Sequence, residues 1–205
     1  MRKLVFAGLM LFVVVASAPA ATLVNFASPG IEADNNTWSL GFAFEVNSSI
    51  TLTGLGAFDY AQDGFDQPQQ VGLWDSAGDL LASVYVSSSS PLVNFFRYGK
   101  ILPVTLTAGD TYYVASQGGE GYTYYTDGFT VAPEITFLYD AYHYVGSTSN
   151  NPLAFPDSTD ETSAERGGAY FGANALFASE VPEPSSLLLL AGGLAALAAM
   201  RRKRV

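Results

Sequence analysis

Ser39-Leu40-Gly41-Phe42-Ala43-Phe44-Glu45-Val46 is the stretch that decides the fold. Leu40, Phe42, Phe44 and Val46 recur at every second position, so a strand places all four on one face. The same spacing in a helix would scatter them around the axis. Asn47-Ser48-Ser49 then offers a turn, and Ile50-Thr51-Leu52-Thr53 resumes a β-branched alternation. Gly54 and Gly56 predict a bulge or bend before Ala57-Phe58.

Outward from that stretch the period stays at two. Asp59 to Gln70 reads as a polar loop with a turn at Asp63-Gly64. Gln70 to Trp74 is the next strand. Asp75-Ser76-Ala77-Gly78-Asp79 reads as a hairpin turn in which Gly78 supplies φ > 0. Leu80 to Val86 returns with Leu80, Ala82, Val84 and Val86 on one face. Phe95 to Tyr98, Pro103 to Leu106 and Thr111 to Ser116 are further short strands, with a turn at Thr107 to Asp110. Aromatic segments follow at Gly118–Asp127 and Glu134–Val145. Ser147 to Glu165 is a long polar stretch read as a loop, and Gly168 to Phe177 alternates again. About ten short strands without a helical period predict an all-β body, a single antiparallel β-sandwich.

The two ends read differently. Arg2 and Lys3, the apolar run Leu4–Val15 and Ala18-Pro19-Ala20 have the layout of a secretory signal peptide, with Ala18 and Ala20 as the small residues of an A-x-A cleavage site for signal peptidase. The mature chain is expected to start near Ala21. At the other end, Val181-Pro182-Glu183-Pro184 precedes the uncharged run Ser185–Met200 and the cations Arg201, Arg202, Lys203 and Arg204. That run of 16 residues would reach about 24 Å as a helix, short of a hydrocarbon core of about 30 Å. The cations favour the cytoplasmic side, leaving the Val181 end outside. The expected organisation is a signal peptide over 1–20, a body over 21–180 and a tail over 181–205. The sandwich is thus flanked by an N-terminal signal helix and a C-terminal hydrophobic transmembrane helix.

The tail resembles the PEP-CTERM sorting signal of Gram-negative bacteria. Pro182-Glu183-Pro184 matches the motif, and the apolar run and basic end match in order and length. The resemblance implies recognition by an exosortase, a membrane transpeptidase, and cleavage near Pro182–Pro184. It implies a body held transiently at the inner membrane, outside the cytoplasm, and then delivered to the cell surface or extracellular matrix. It also implies association with exopolysaccharide or biofilm. Within the body, Gly72-Leu73-Trp74-Asp75 to Ser83, Phe96-Arg97-Tyr98 and Pro103 to Tyr112 resemble a jelly-roll-like domain of unknown function found in secreted bacterial proteins. That resemblance carries a fold and no activity.

Composition narrows the chemistry. Between Ala21 and Glu180 the chain has 18 acids and 3 bases (Arg97, Lys100 and Arg166), a formal net charge of −15. Such a surface repels nucleic acid. The chain has no cysteine, so disulfides, thiol catalysis and thiolate metal sites are excluded. His143 is the only histidine, too few for an H-E-x-x-H zinc site. Neither a G-x-S-x-G elbow nor a phosphate-binding glycine loop is present. With 18 acids, some pair will meet glycosidase spacing by chance, and nothing selects one. No enzyme activity is expected, and an extracellular polysaccharide hydrolase is the weakest of the readings.

Two loops carry clustered oxygen donors. Asp59, Asp63 and Asp66 lie in one, and Asp157, Asp160 and Glu161 in the other. Ca²⁺ takes six to eight such oxygens, and a solvated acidic loop has the same composition. No motif requires a cofactor, and Ca²⁺ is the one these loops could hold. Tyr122 and Tyr124 share a strand face, where sugar rings could stack on them or cross-strand partners could cover them. The sequence therefore predicts an exported, non-enzymatic surface or matrix protein. A glycan- or calcium-binding adhesion module is the alternative for its body.

Overall fold

The computed structural model describes residues 20–33, 37–117, 121–125, 129–146, 153–160 and 169–178. Fifteen strands, numbered in chain order, and no helix occur among them. The alternating stretch is β4 (Trp38–Val46). It lies in a five-stranded sheet of order β13 (Ile135–Tyr144), β4, β10 (Thr111–Gln117), β6 (Gln69–Asp75) and β7 (Leu80–Val86). A second five-stranded sheet has the order β1 (Ala20–Thr22), β15 (Ala173–Ala178), β5 (Ile50–Phe58), β9 (Phe96–Leu106) and β8 (Leu92–Val93). Two small sheets complete the set: β14 (Ala169–Phe171), β11 (Tyr122–Tyr125) and β3 (Ile31–Ala33) form one, and β12 (Phe129–Val131) and β2 (Val24–Phe26) the other. All pairings are antiparallel.

This corrects the expected architecture of one sandwich between two helices. The described chain is all-β and divides among four sheets, and none of its residues forms a helix long and apolar enough to cross a membrane. The segments expected to be a signal helix and a transmembrane helix lie outside the described residues. The Asn47–Ser49 turn also does more than reverse the chain. Strands β4 and β5 belong to different sheets, so it carries the backbone across the core.

The inner faces meet in one cluster. Phe42, Phe44 and Val46 of β4 pack with Leu73, Val114 and Ile135 from their own sheet, and with Leu52, Leu55, Phe96, Leu106, Ala175 and Phe177 from the other. Burying a large apolar side chain stabilises by roughly 1.5–3 kcal/mol, so this face determines the register. A slip by one residue would turn it to water. The small sheets close one end of the cluster with rings: Phe171 lies 5.0 Å from both Phe26 and Phe129, between ring centroids. The Tyr98 hydroxyl is buried there with no hydrogen-bond partner among the described residues, and burial pushes its pKa up.

Local signals behave as their chemistry dictates, with two exceptions. Gly78 has φ of 86°, and the Asp75 carboxylate accepts hydrogen bonds from the Ala77 and Asp79 amides at 2.9 and 3.0 Å. The β5–β9 register shifts between Leu52 and Gly54, at the glycine where a bulge was expected. Opposite it, Phe95–Tyr98 and Pro103–Leu106 are not separate strands. Apart from Phe95, which lies in the preceding turn, they are parts of β9, and Pro103 sits in its irregular segment, where no ladder donor is needed. The second exception is β7: an irregularity opposite Leu73 and Trp74 leaves Leu80 52% exposed instead of inward.

Candidate functional site

The face of β4 that is core at Phe42 continues beyond the sandwich at Trp38. Trp38 pairs with Tyr144 and Leu40 with Tyr142 on β13. Diagonal and direct neighbours on one face lie within aromatic reach. The rings of Trp38 and Tyr144 are 4.8 Å apart, and those of Trp38 and Tyr142 are 5.4 Å apart in an edge-to-face contact. Tyr142 then meets Tyr170 of β14 at 5.8 Å, and Tyr170 meets Tyr122 of β11 at 5.7 Å, both edge-to-face. Five rings thus form one continuous ridge from the large sheet to the three-stranded sheet. Four are half-buried, and Tyr144 is 57% exposed.

Edge-to-face packing fixes ring orientation and leaves part of each ring in water. Such a surface offers apolar π-faces flanked by hydroxyls, each able to donate and accept a hydrogen bond. Burial pushes the Tyr122 hydroxyl's pKa up, so the group stays neutral. Of the two tyrosines singled out in the sequence, Tyr122 is in the ridge. Tyr124 is placed only by its backbone, opposite Tyr170 and Ile31. Trp38 and Tyr170 were missed. Only the register of β4 with β13, and the contact with β14, brings them to Tyr142.

The acidic candidates go elsewhere. Asp59 is buried, and its Oδ2 lies 2.6 Å from Arg97 Nε. Its oxygens also accept from the Gln62 and Gly64 amides at 2.9 and 3.1 Å. Arg97 in turn donates to the Ser90 and Gln62 carbonyls. Asp59 therefore holds its loop from inside. Asp63 and Asp66 are exposed. Asp59, Asp63 and Glu32 line a small cleft of about 120 Å³, but no three His, Cys, Asp or Glu residues among those described stand where they could hold a metal ion.

In the second loop, Asp157 Oδ1 is 2.8 Å from His143 Nδ1. That hydrogen bond is the main cause holding the Asp157 carboxyl below its ordinary value. The Asp160 amide and the Thr159 hydroxyl donate to Asp140, a fully buried carboxylate on β13. Glu161 lies outside the described residues. Residues 153–160 are thus a strap rather than a free loop. Ser158 pairs with Tyr142 on the β13 edge, and Ser39 Oγ donates to the Ala154 carbonyl. Phe155 packs on Tyr113 and Trp74. A Cβ on Gly72 would lie 2.5 Å from the Trp74 ring and 2.8 Å from Leu153 Cδ2, so both side chains pack in the space this glycine leaves. Beneath the strap the Tyr113 and Tyr139 hydroxyls are 2.9 Å apart. Burial, and then that bond, push the Tyr113 pKa up to about 12.

The two processing ends meet. Ala20 is the first residue of β1, and its partner is Ala178 at the end of β15. The chain therefore enters and leaves the body at one corner, at the far end of β15 from Tyr170. Ala18, Val181, Pro182, Glu183, Pro184 and the cations Arg201, Arg202, Lys203 and Arg204 lie outside the described residues.

A family model described as a domain of unknown function, DUF4082, matches residues 27–165. The match extends well beyond the hairpins that carried the resemblance. It stops short of β1, β2, β14 and β15, which complete the sheets and supply Tyr170. A model of the PEP-CTERM protein-sorting motif matches residues 180–203. No curated protein matches the chain.

Proposed function

We propose, on the premise that the chain belongs to the DUF4082 family and is an exported protein bearing a PEP-CTERM sorting signal, that its body is a carbohydrate-contacting module. It works without cutting the polymer. The observation that carries this reading is the ridge Tyr144–Trp38–Tyr142–Tyr170–Tyr122. Saccharide rings present flat C–H faces that stack on aromatic faces, and their hydroxyls match tyrosine hydroxyls. A body of net charge −15 favours neutral over anionic polymers.

PEP-CTERM motifs are exosortase substrates, which supports cleavage near Pro182–Pro184 and release toward the cell surface, with exopolysaccharide as the polymer met there. The geometry supports an order of processing. A peptidase reads an extended, unpaired chain, and the Ala20–Ala21 bond lies in β1, paired with β15. Signal peptidase therefore cuts before β1 docks. Because both ends share a corner, the ridge stands away from the two processing ends by the length of β15, roughly 20 Å at about 3.3 Å per residue.

The test is binding of the exported protein to exopolysaccharide from its own host. Saturable binding is expected. Tyr144→Ala and Tyr122→Ala should each weaken it by roughly tenfold, about 1.4 kcal/mol. Saturable binding that both variants leave unchanged would remove the ridge from the function, and absence of binding would remove the module.

A further inference from the structure

We propose that the β7 side of the sandwich is where two copies of this chain meet. The acids of the body are unevenly placed. From Leu80 to Gly109 there is neither Asp nor Glu, although the body as a whole holds 18. That acid-free stretch builds β7, β8 and β9, which lie on one side of the molecule. Strand β7 is an edge of the first large sheet, β8 is an edge of the second, and β9 has a partner on that side only at Phe96 and Arg97. The two edges are held together where Val84 packs on Gly99.

This side is also apolar. Leu80 is 52%, Tyr85 64% and Leu102 87% exposed, and Leu81 is exposed beside them. Lys100 is exposed here and makes no ion pair among the described residues. Open edge strands carry unpaired backbone donors and acceptors, and proteins usually guard them with charge. Here that guard is a single lysine.

Charge selects the occupant. Two bodies of net charge −15 repel wherever acids face acids, and at ordinary ionic strength the repulsion acts over about 8–10 Å. The stretch Leu80–Gly109 adds no acid to this side, so two copies meeting there face fewer of those charges, the nearest being Asp75 and Asp79 in the β6–β7 hairpin. A two-fold axis makes such a contact isologous. A strand paired with its own copy across that axis is antiparallel by symmetry, matching the pairing throughout this protein. Apolar residues on the edge then leave water in both copies at once.

Analytical ultracentrifugation of the exported protein tests this. The mass should rise with concentration toward twice that of the monomer. Added salt should strengthen the association by screening the residual repulsion. Combining Leu80→Glu with Tyr85→Glu should weaken the dimer by roughly tenfold or more. Tyr144→Glu, on the opposite edge of the same sheet, should leave it unchanged. If the double variant does not fold, Lys100→Glu alone must shift the equilibrium in the same direction. A monomer at every concentration in high salt overturns the proposal, even if it binds another polymer through this edge. So does a dimer insensitive to the edge variants, or one broken equally by Tyr144→Glu.

Discussion

The loops at Asp59–Gln70 and 153–160 look alike as strings of acids, glycine or proline, and polar residues, yet they are built in opposite ways. The first is organised from inside. The buried carboxylate of Asp59 gathers Arg97 and two loop amides. The second is organised from its neighbour. The buried carboxylate of Asp140 lies on β13 and reaches out to bind Thr159 and Asp160, while Asp157 stays at the surface with His143. The lesson concerns which acid is buried. A carboxylate withdrawn from water needs a full set of donors, and whatever supplies them becomes rigid.

The sharpest way to break the comparison is at Asp59. Asp59→Ala leaves the half-buried Arg97 guanidinium without its counter-charge and two amides without an acceptor. A loss of about 3–5 kcal/mol is expected in denaturant unfolding. Adding Arg97→Met to that variant should recover part of it, since the orphaned charge goes too. A loss below about 1 kcal/mol would mean that the pair is as weak as a surface bridge.

At Asp140 the expected effect is smaller and local. Asp140→Ala should cost about 1–3 kcal/mol and release the strap, read as faster hydrogen exchange at the Ser158 and Asp160 amides. Asp140→Asn keeps one acceptor oxygen and should be milder. Equal exchange in all three proteins would show that Ser158, Phe155 and Ser39 hold the strap unaided.

The smallest effect is at the surface pair. The hydrogen bond from His143 depresses the Asp157 carboxyl from its ordinary 3.8. Its contribution is therefore complete above that value and is lost as pH falls through the lower, folded-state value. Both partners are partly exposed, so the contribution should stay below about 1 kcal/mol. Asp157→Asn should flatten that part of the stability–pH curve. A curve that keeps its slope would place the acid sensitivity elsewhere.

Much of this was legible in residues. Leu40, Phe42, Phe44 and Val46 announce a strand because alternation is a property of the backbone alone. Gly78 and Gly54 announce a turn and a bulge for the same local reason. Charge, the missing cysteine and the Pro182-Glu183-Pro184 tail bound the class and the route of export. What was not legible depends on partners distant in the chain. Asp59 and Asp140 are indistinguishable from Asp63 and Asp157 by composition. Burial separates them, and burial is fixed by β9 beside one and the strap beside the other.

The ridge follows the same division. Sequence alone determined that aromatic residues crowd the stretch from Tyr122 to Tyr144 and that their strands alternate. Only the tertiary structure decided that Trp38 stands beside Tyr142 and Tyr144, that Tyr170 joins them to Tyr122, and that Ala20 lies opposite Ala178. A strand's period is written in consecutive residues. Its neighbours are chosen by the burial of a shared core, and that choice involves residues from every part of the chain.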